Sequence, residues 1–463
     1  MARAVAALAV NGGILALGFI ALLAVFQRPV FAAALVVCGW LLIALASSAK
    51  LRVLREPLVF ADFGLFSQAL RHPRLYLPYL GSWRAALAAA AAAAAVAAGL
   101  LIEGAVRVPL AASVALVVAA AASLAAGSRL ARSRLTLEPR RDVARYGLLA
   151  CLWLYWLAER REHPPVSAAL PGLALRKAAR LVPIVVVQSE SFIDARRLYD
   201  GIDARVLANF DALCGCAQSG RLAVPVWGAY TMRTEFAFLS GIAPERLGVH
   251  RFNPYRRYAR RPVPTLASAA RSLGYRTVCI HPYPASFFAR DRVFPALGFD
   301  EFIDLAAFEP ARRSGPYVAD AEVTRRIISE LGKDPVFVFA ITMENHGPLH
   351  LEAVSAGDSG LYRVAPPAGF DDLTVYLRHL RNADAMLGEL ATELARRGDG
   401  VLCWYGDHVP GMPGVYAAVG FEDSRTDYCV WRPGMPRQGR ADLKVEALAL
   451  RVLEAAGLAG APG

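Results

Sequence analysis

The segment "VLCWYGDHVPG" (residues 401–411) opens with five consecutive apolar residues and then sets Asp407 beside His408 where the apolar run stops. A short continuous apolar run closed by glycine predicts a strand buried on both faces. Three other segments share the design. "LVPIVVVQ" (181–188) runs into Ser189, Glu190 and Ser191, "YRTVCI" (275–280) into His281, and "PVFVFAIT" (335–342) into Glu344, Asn345 and His346. Buried strands alternating with helical stretches predict an α/β domain with a mostly parallel central sheet. In such sheets ligands bind beyond the carboxyl ends of the strands. Polar, metal-competent residues after all four runs therefore predict one convergent site. Taken singly, Glu190 or Asp407 reads as readily as a turn former or a helix cap. The Asp-His adjacency is more specific, because a carboxylate oxygen and an imidazole nitrogen on one turn can both reach a Zn2+ or Mn2+ ion.

The N-terminal part has a different texture. Of the 463 residues 56% are hydrophobic, and they concentrate before residue 160. Apolar runs at 4–27, 29–49, 85–102 and 108–127 each approach the ~20 residues that a helix needs to cross a ~30 Å hydrocarbon core. Repeated full-length runs exclude a cleaved signal peptide as the explanation of the N-terminus. A shorter run, "YGLLACLWLYWLA" (146–158), predicts a fifth crossing. Basic residues crowd two of the intervening loops: Lys50, Arg52, Arg55, Arg71 and Arg74 in one, and Arg129, Arg132, Arg134, Arg140, Arg141 and Arg145 in the other. By the positive-inside rule both loops are cytoplasmic, and five crossings carry the rest of the chain to the periplasmic side of the inner membrane. The expected organisation is an α-helical transmembrane domain over 1–158, a linker over 159–179 and an extracytoplasmic catalytic domain over 180–458. Much of the net charge of +12 falls in loops that would face anionic lipid head groups. No basic run is interleaved with an RNA- or DNA-binding motif, so nucleic acid is not an expected partner. The seven cysteines, with no CxxC pair or zinc-ribbon spacing, predict structural thiols.

Between the first two predicted strands lies "PVWGAYTMRTEFAFLSGI" (225–242). "TEFAFLSGI" reads as a helix ended by Gly241, which puts Thr231 near a helix N-terminus. There the free N–H groups and the dipole favour an anion, an environment suited to a hydroxyl that ionises and then carries a phosphoryl group. The same position reads equally as a plain N-cap followed by Thr234 and Glu235 in the first turn. Ser240 is a further hydroxyl on this stretch and ranks with Thr234 below Thr231. "HRFNPYRRYARR" (250–261) mixes bases with aromatics, a composition that fits lipid head groups or an acidic glycan as well as a solvated loop. His72, His163, His250, His350 and His379 read as surface or structural.

With these segments in order, the soluble half resembles the alkaline phosphatase and sulfatase superfamily, and within it the lipoteichoic acid synthase and phosphoglycerol transferase branch. "VVVQSESF" resembles the branch's strand ending in an acidic metal ligand, and "YTMRTEF" its nucleophilic threonine motif. "SFFARDRVFPALGFDEFID" resembles the segment whose arginine grips phosphate, "FAITMENHGPL" the one with a substrate-side histidine, and "YGDH" the closing metal pair. The resemblance implies Glu190, Thr231, Asp407 and His408 as ligands of one divalent ion, Mn2+ first, with Zn2+ or Mg2+ as alternatives. It implies Thr231 as nucleophile, Arg290 and His346 as ligands of the substrate's phosphate and glycerol, and His281 as a supporting or substrate-contacting group. Phe288 stands where the branch usually carries tryptophan, which changes the hydrogen bonding of the head-group pocket.

The residue types agree with that chemistry. A divalent ion lowers the pKa of a bound hydroxyl and offsets phosphate charge, and Arg290 has the planar fork that pairs with two phosphate oxygens. The expected reaction moves glycerophosphate from a phospholipid donor, phosphatidylglycerol, to an extracytoplasmic glycan acceptor through a phospho-threonine type intermediate. A phosphoethanolamine transferase is the nearest alternative, and a phosphodiesterase or sulfatase-like hydrolase of the same fold is the next. A sulfatase proper is disfavoured, because "TMRT" lacks the Cys/Ser-x-Pro-x-Arg pattern. A decayed, non-catalytic glycan-binding domain is disfavoured because every expected metal ligand is present.

Overall fold

The computed structural model describes residues 2–65, 82–161, 180–261, 263–332, 335–436 and 438–459. Arg71, Arg74, His72, His163 and most of the expected linker lie outside the described residues. The chain divides into two compact units, residues 1–163 and 164–463.

The first unit is helical: α1 (Ala2–Phe26), α2 (Pro29–Leu54), α3 (Ser82–Ile102), α4 (Leu110–Arg132), α5 (Pro139–Tyr146) and α6 (Leu148–Arg161). Among the described residues three helices are long and apolar enough to cross a membrane: Arg3–Phe26, Pro29–Leu54 and Leu110–Arg132. The third apolar run of the sequence falls in α3. The fifth falls in α6, whose 14 residues rise about 21 Å, short of a ~30 Å hydrocarbon core. The kink before it is at Gly147, with φ 82°.

That interruption leaves backbone groups without a partner in either helix, and a polar side chain of α1 satisfies two of them. Asn11 donates to the Tyr146 carbonyl at 2.7 Å and accepts from the Ala150 N–H at 3.2 Å. Nearby, buried Asp142 accepts from Thr136, Leu137 and the Tyr155 hydroxyl. At the start of α2, Glu103 accepts from the N–H groups of Val30 and Phe31 at 2.8 and 2.7 Å. It thereby caps a helix whose own N-cap, Arg28, supplies no side-chain bond.

The second unit is built on β1 (Ile184–Ser189), β2 (Gln218–Ala223), β3 (Arg276–Ile280), β4 (Glu301–Ile303), β7 (Val336–Ile341), β8 (Val401–Gly406), β9 (Thr426–Trp431) and β10 (Leu443–Lys444). A two-stranded ribbon, β5 (Arg313–Ser314) and β6 (Tyr317–Val318), lies apart from them. The sheet order is β10-β2-β9-β8-β1-β7-β3-β4. Strands β8, β1, β7, β3 and β4 run parallel, and β9 is antiparallel to both its neighbours. The four strands legible in the sequence are thus four adjacent strands of one sheet. Their carboxyl ends, and the polar residues after them, lie side by side.

Alternation decides what each face meets. Val185, Val187, Val338, Leu402 and Trp404 pack with apolar residues of α8 (Asp320–Glu330) and α9 (Asp371–Arg396) in one core. On the other face Phe238, from a helix over Thr231–Ser240, meets Phe339 at 5.8 Å and Tyr405 at 4.8 Å between ring centroids. Cys279, Cys403 and Cys429 are buried, and all seven cysteines are free thiols.

Gly406, the last residue of β8, is where the sheet leaves least room. A Cβ there would lie 2.0 Å from the Phe192 carbonyl oxygen. Gly406→Ala is therefore expected to destabilise the protein by roughly 2 kcal/mol or more, read as a lower midpoint in thermal denaturation of the purified chain.

Candidate metal and phosphate site

Three of the sequence-predicted ligands converge. One ligand atom each from Glu190, Asp407 and His408, all buried, lie within 4.8 Å of one another. His408 Nε2 is 3.2 Å from Asp407 Oδ2 and 3.5 Å from Glu190 Oε1. The backbone prepares this meeting. Asp407 Oδ1 accepts from the N–H groups of Ser191 and His408, at 2.8 and 2.9 Å, which turns Oδ2 inward. His408 Nδ1 sits 3.0 Å from the Val409 carbonyl. A proton on Nδ1 leaves the Nε2 lone pair for a ligand.

Two observations fit a cation here. Asp407 Oδ2 is buried without a hydrogen-bond partner, and a buried orphan of this kind calls for one. Glu190 is pushed up to about 8, first by burial and then by the Asp407 carboxylate beside it. A divalent ion would relieve both. Two carboxylates and an imidazole are a donor set for Zn2+ or Mn2+.

Thr231 is the first residue of α7 (Thr231–Ser240), and Tyr230, at φ 65°, supplies no capping side chain. The helix is tied to the metal loop one turn later. The Thr234 hydroxyl donates to the Asp407 carbonyl at 2.8 Å. Residues three apart share a helix face, so Thr231 lies on the side of α7 that meets that loop. The competing hydroxyls are engaged: Thr234 by this bond, and Ser240 by donation to the Phe236 carbonyl at 2.6 Å. Both are 0% exposed, against 8% for Thr231.

Arg290 and His281 are brought together. Arg290 is 1% exposed, and its Nη1 lies 3.2 Å from His281 Nε2. Burial would lower the Arg290 pKa, but the Glu235 carboxylate against it holds it above the usual range. His281 Nδ1 is 3.1 Å from the Ile341 carbonyl. Burial and then the neighbouring guanidinium hold this imidazole well below its usual value, so it stays neutral. Phe288, in a left-handed conformation at φ 53°, sets its ring 5.2 Å from the Arg290 guanidinium carbon. His346 is half-buried, with Nδ1 2.7 Å from the Gly347 carbonyl and its ring 5.6 Å from Tyr317. Burial lowers its pKa first of all, and the charges of Asp407 and Arg290 act on it in opposite directions.

The comparisons with known proteins follow the same frame. Residues 183–457 match the sulfatase family. The chain belongs to the sulfatase family. It is 30% identical to the capsular polysaccharide biosynthesis protein RkpI of Rhizobium meliloti, over 90% of this chain and 80% of that protein. The branch resemblance has its counterpart in lipoteichoic acid synthase 1 of Bacillus subtilis, 26% identical over 142 residues, 29% of this chain and 21% of that one. Among solved structures the lipooligosaccharide phosphoethanolamine transferase A of Neisseria meningitidis, an integral membrane protein, shares the fold over 97% of this chain and 94% of its own. The TM-score is 0.57 at 13% identity. The sulfatase-family chain thus joins an N-terminal membrane anchor to a domain of the alkaline phosphatase fold.

Some of this domain's buried chemistry is absent from the sequence reading. His379, on α9, is 0% exposed and lies between two carboxylates, with Nδ1 3.0 Å from Glu344 and Nε2 3.1 Å from Glu352. Glu344 also accepts from Asn382 and from the Asp320 N–H. This network braces the segment between β7 and His346. The 250–261 stretch spends its aromatics inward: Tyr258 stacks on Phe236 at 4.7 Å, while Arg256, Arg260 and Arg261 are exposed.

Two outcomes are expected. His408→Gln removes one of the three converging donors and lowers Mn2+ affinity by more than about 100-fold, measured by titration calorimetry on the full chain. Burial alone would lower the His379 pKa, but Glu344 and Glu352 more than offset it and raise it from 6.5 to about 9. The stabilisation is complete below pH 6.5 and is lost as pH rises through 9, a change on the order of 3 kcal/mol. Thermal midpoints between pH 6 and pH 9.5 should show that loss in the native protein and not in His379→Asn.

Proposed function

We propose that the protein is a metal-dependent membrane phosphotransferase that moves glycerophosphate from phosphatidylglycerol to an extracytoplasmic glycan. The observation that carries this is the Thr234 bond to the Asp407 carbonyl. It ties α7 to the loop that carries Asp407 and His408, one turn on from Thr231. The polysaccharide role in the name of the Rhizobium relative supports a glycan acceptor. The two basic loops support placing the catalytic unit outside the cytoplasm, a topology in which α6, at 14 residues, makes the fifth crossing only with local thinning of the bilayer and flanking arginines reaching to the head groups.

The divalent ion, Mn2+ in this reading, would be held by Glu190, Thr231, Asp407 and His408, and would supply charge compensation and a lowered hydroxyl pKa. The remaining steps belong to the chain. Arg290 orients the donor's phosphate through the N–H groups that Glu235 and His281 leave over. Thr231 Oγ gives its proton to water and bonds to phosphorus, the bond from phosphorus to the diacylglycerol oxygen breaks, and that oxygen takes a proton from water. A glycan hydroxyl then attacks. His346 Nε2 takes the hydroxyl proton and returns it to Thr231 Oγ as the Thr231–phosphorus bond breaks. The neutral state favoured by burial suits His346 to the first half of that exchange.

The test is a mass measurement on the Thr231 peptide after the full chain meets phosphatidylglycerol or phosphatidylethanolamine, with Mn2+. A glycerophosphoryl adduct from the first lipid, absent in Thr231→Ala, is expected. An adduct from phosphatidylethanolamine alone would make the protein a phosphoethanolamine transferase. Undiminished transfer by Thr231→Ala would remove the nucleophile.

A further inference from the structure

Large apolar side chains are exposed along the N-terminal helices, as befits a membrane anchor. Among the described residues of the second unit only four are: Leu351 at 49%, Val354 at 45%, Val364 at 57% and Val419 at 36%. An apolar residue exposed singly is ordinary, whereas several in one place mark a contact surface. Leu351, Val354 and Val364 all fall in residues 349–368, a stretch that begins three residues after His346.

The stretch is held firmly, and both its ends are tied to the same part of α9. Glu352 Oε2 lies 3.1 Å from His379 Nε2. Arg378 donates to Asp358 at 3.0 and 2.6 Å and to the Ala353 carbonyl at 2.8 Å. The Tyr362 hydroxyl is 2.9 Å from that of Thr374, and the Gly201 carbonyl accepts from the N–H groups of Arg363 and Val364. Thr374 and His379 are only about 7.5 Å apart along a helix axis, so the exposed side chains next to Glu352 and Tyr362 share one neighbourhood.

Polarity is sorted across this stretch. Its two carboxylates, Glu352 and Asp358, are turned in toward α9, with side chains 12% and 4% exposed. The exposed residues include Leu351, Val354, Arg363 and Val364 and no carboxylate. Apolar side chains beside an arginine, with the acids withdrawn, suit the boundary between acyl chains and anionic head groups. A glycan would call for hydrogen-bonding side chains, which Leu351, Val354 and Val364 lack. The chain's own anchor keeps a bilayer at high effective concentration.

We propose that the outer face of residues 349–364, led by Leu351, Val354 and Val364, inserts into the bilayer interface and holds the His346 side of the site at the level of the lipid donor. The positioning of the donor rests on the phosphotransferase reading; the insertion does not.

The test uses the full chain reconstituted in vesicles of phosphatidylcholine and phosphatidylglycerol, with part of the phosphatidylcholine carrying a nitroxide on an acyl chain. A fluorophore is attached at Val354→Cys after Cys38→Ala, Cys214→Ala and Cys216→Ala remove the thiols that are not buried. The nitroxide should quench it by about 2-fold or more. The same label at exposed Thr392→Cys, about 21 Å beyond Arg378 along α9, should stay bright. Undiminished emission at 354, or equal quenching at both positions, overturns the proposal. So does a signal at 354 that follows only the protein-to-lipid ratio, which would make the face a contact between copies of the chain. Replacing all three side chains, as Leu351→Ser, Val354→Ser and Val364→Ser, should raise KM for phosphatidylglycerol in vesicles by about 10-fold. Formation of the Thr231 adduct from soluble glycerophosphoglycerol should be unchanged, which also reports that the variant is folded; an unmoved KM overturns the positioning role. Quenching needs no turnover, so a quenched label in a chain that forms no Thr231 adduct defeats the reaction and leaves the insertion standing.

Discussion

The site depends on one hydrogen bond between a helix and a strand end. Thr234 donates to the Asp407 carbonyl, and through it the N-terminus of α7 is indexed to the loop that carries two of the converging donors. Because α7 is a rigid rod, the same contact also sets the direction of Glu235, and through Glu235 that of Arg290. A single helical turn therefore fixes a hydroxyl, a metal loop and a guanidinium relative to one another. Each of these elements comes from a distant part of the chain, as the separations of 173 residues for Thr234 to Asp407 and 55 for Arg290 to Glu235 show.

The parallel sheet makes that indexing possible. Adjacent parallel strands end together, so the residues that follow β8, β1, β7 and β3 share one rim. Gly406 lets β8 pass the Phe192 carbonyl at a distance no side chain tolerates, and the chain then turns straight into Asp407. Backbone N–H groups, not side chains, aim the Asp407 carboxylate. The cost of gathering two carboxylates in a buried place is visible in the raised Glu190 pKa.

How much of this the sequence disclosed follows from the physics of each element. Central parallel strands are buried on both faces, so they read as unbroken apolar runs, and all four were legible with the polar residues at their ends. Strand β2, "QSGRLA", is only half-buried and contains Gly and Arg, and nothing in its periodicity distinguishes it from a loop. The converging donors were legible because two of them are neighbours. The placement of His379 was not: its partners are 35 and 27 residues away, and a histidine on an amphipathic helix looks the same whether it meets carboxylates or solvent. Glu235 read as a first-turn residue of a helix, whereas α7 begins at Thr231 and Glu235 opens its second turn. What sequence spacing could not show is that its carboxylate faces inward to a charge from another segment.

The carboxylate of Glu103, grasping the first two N–H groups of α2, has a consequence for how the membrane unit is assembled. It pins the end of α3 to the beginning of α2, so neither helix can slide along its axis without breaking two charge-assisted bonds. The pair behaves as a clasped hairpin with a fixed depth, and a bilayer of different thickness would have to tilt both helices together.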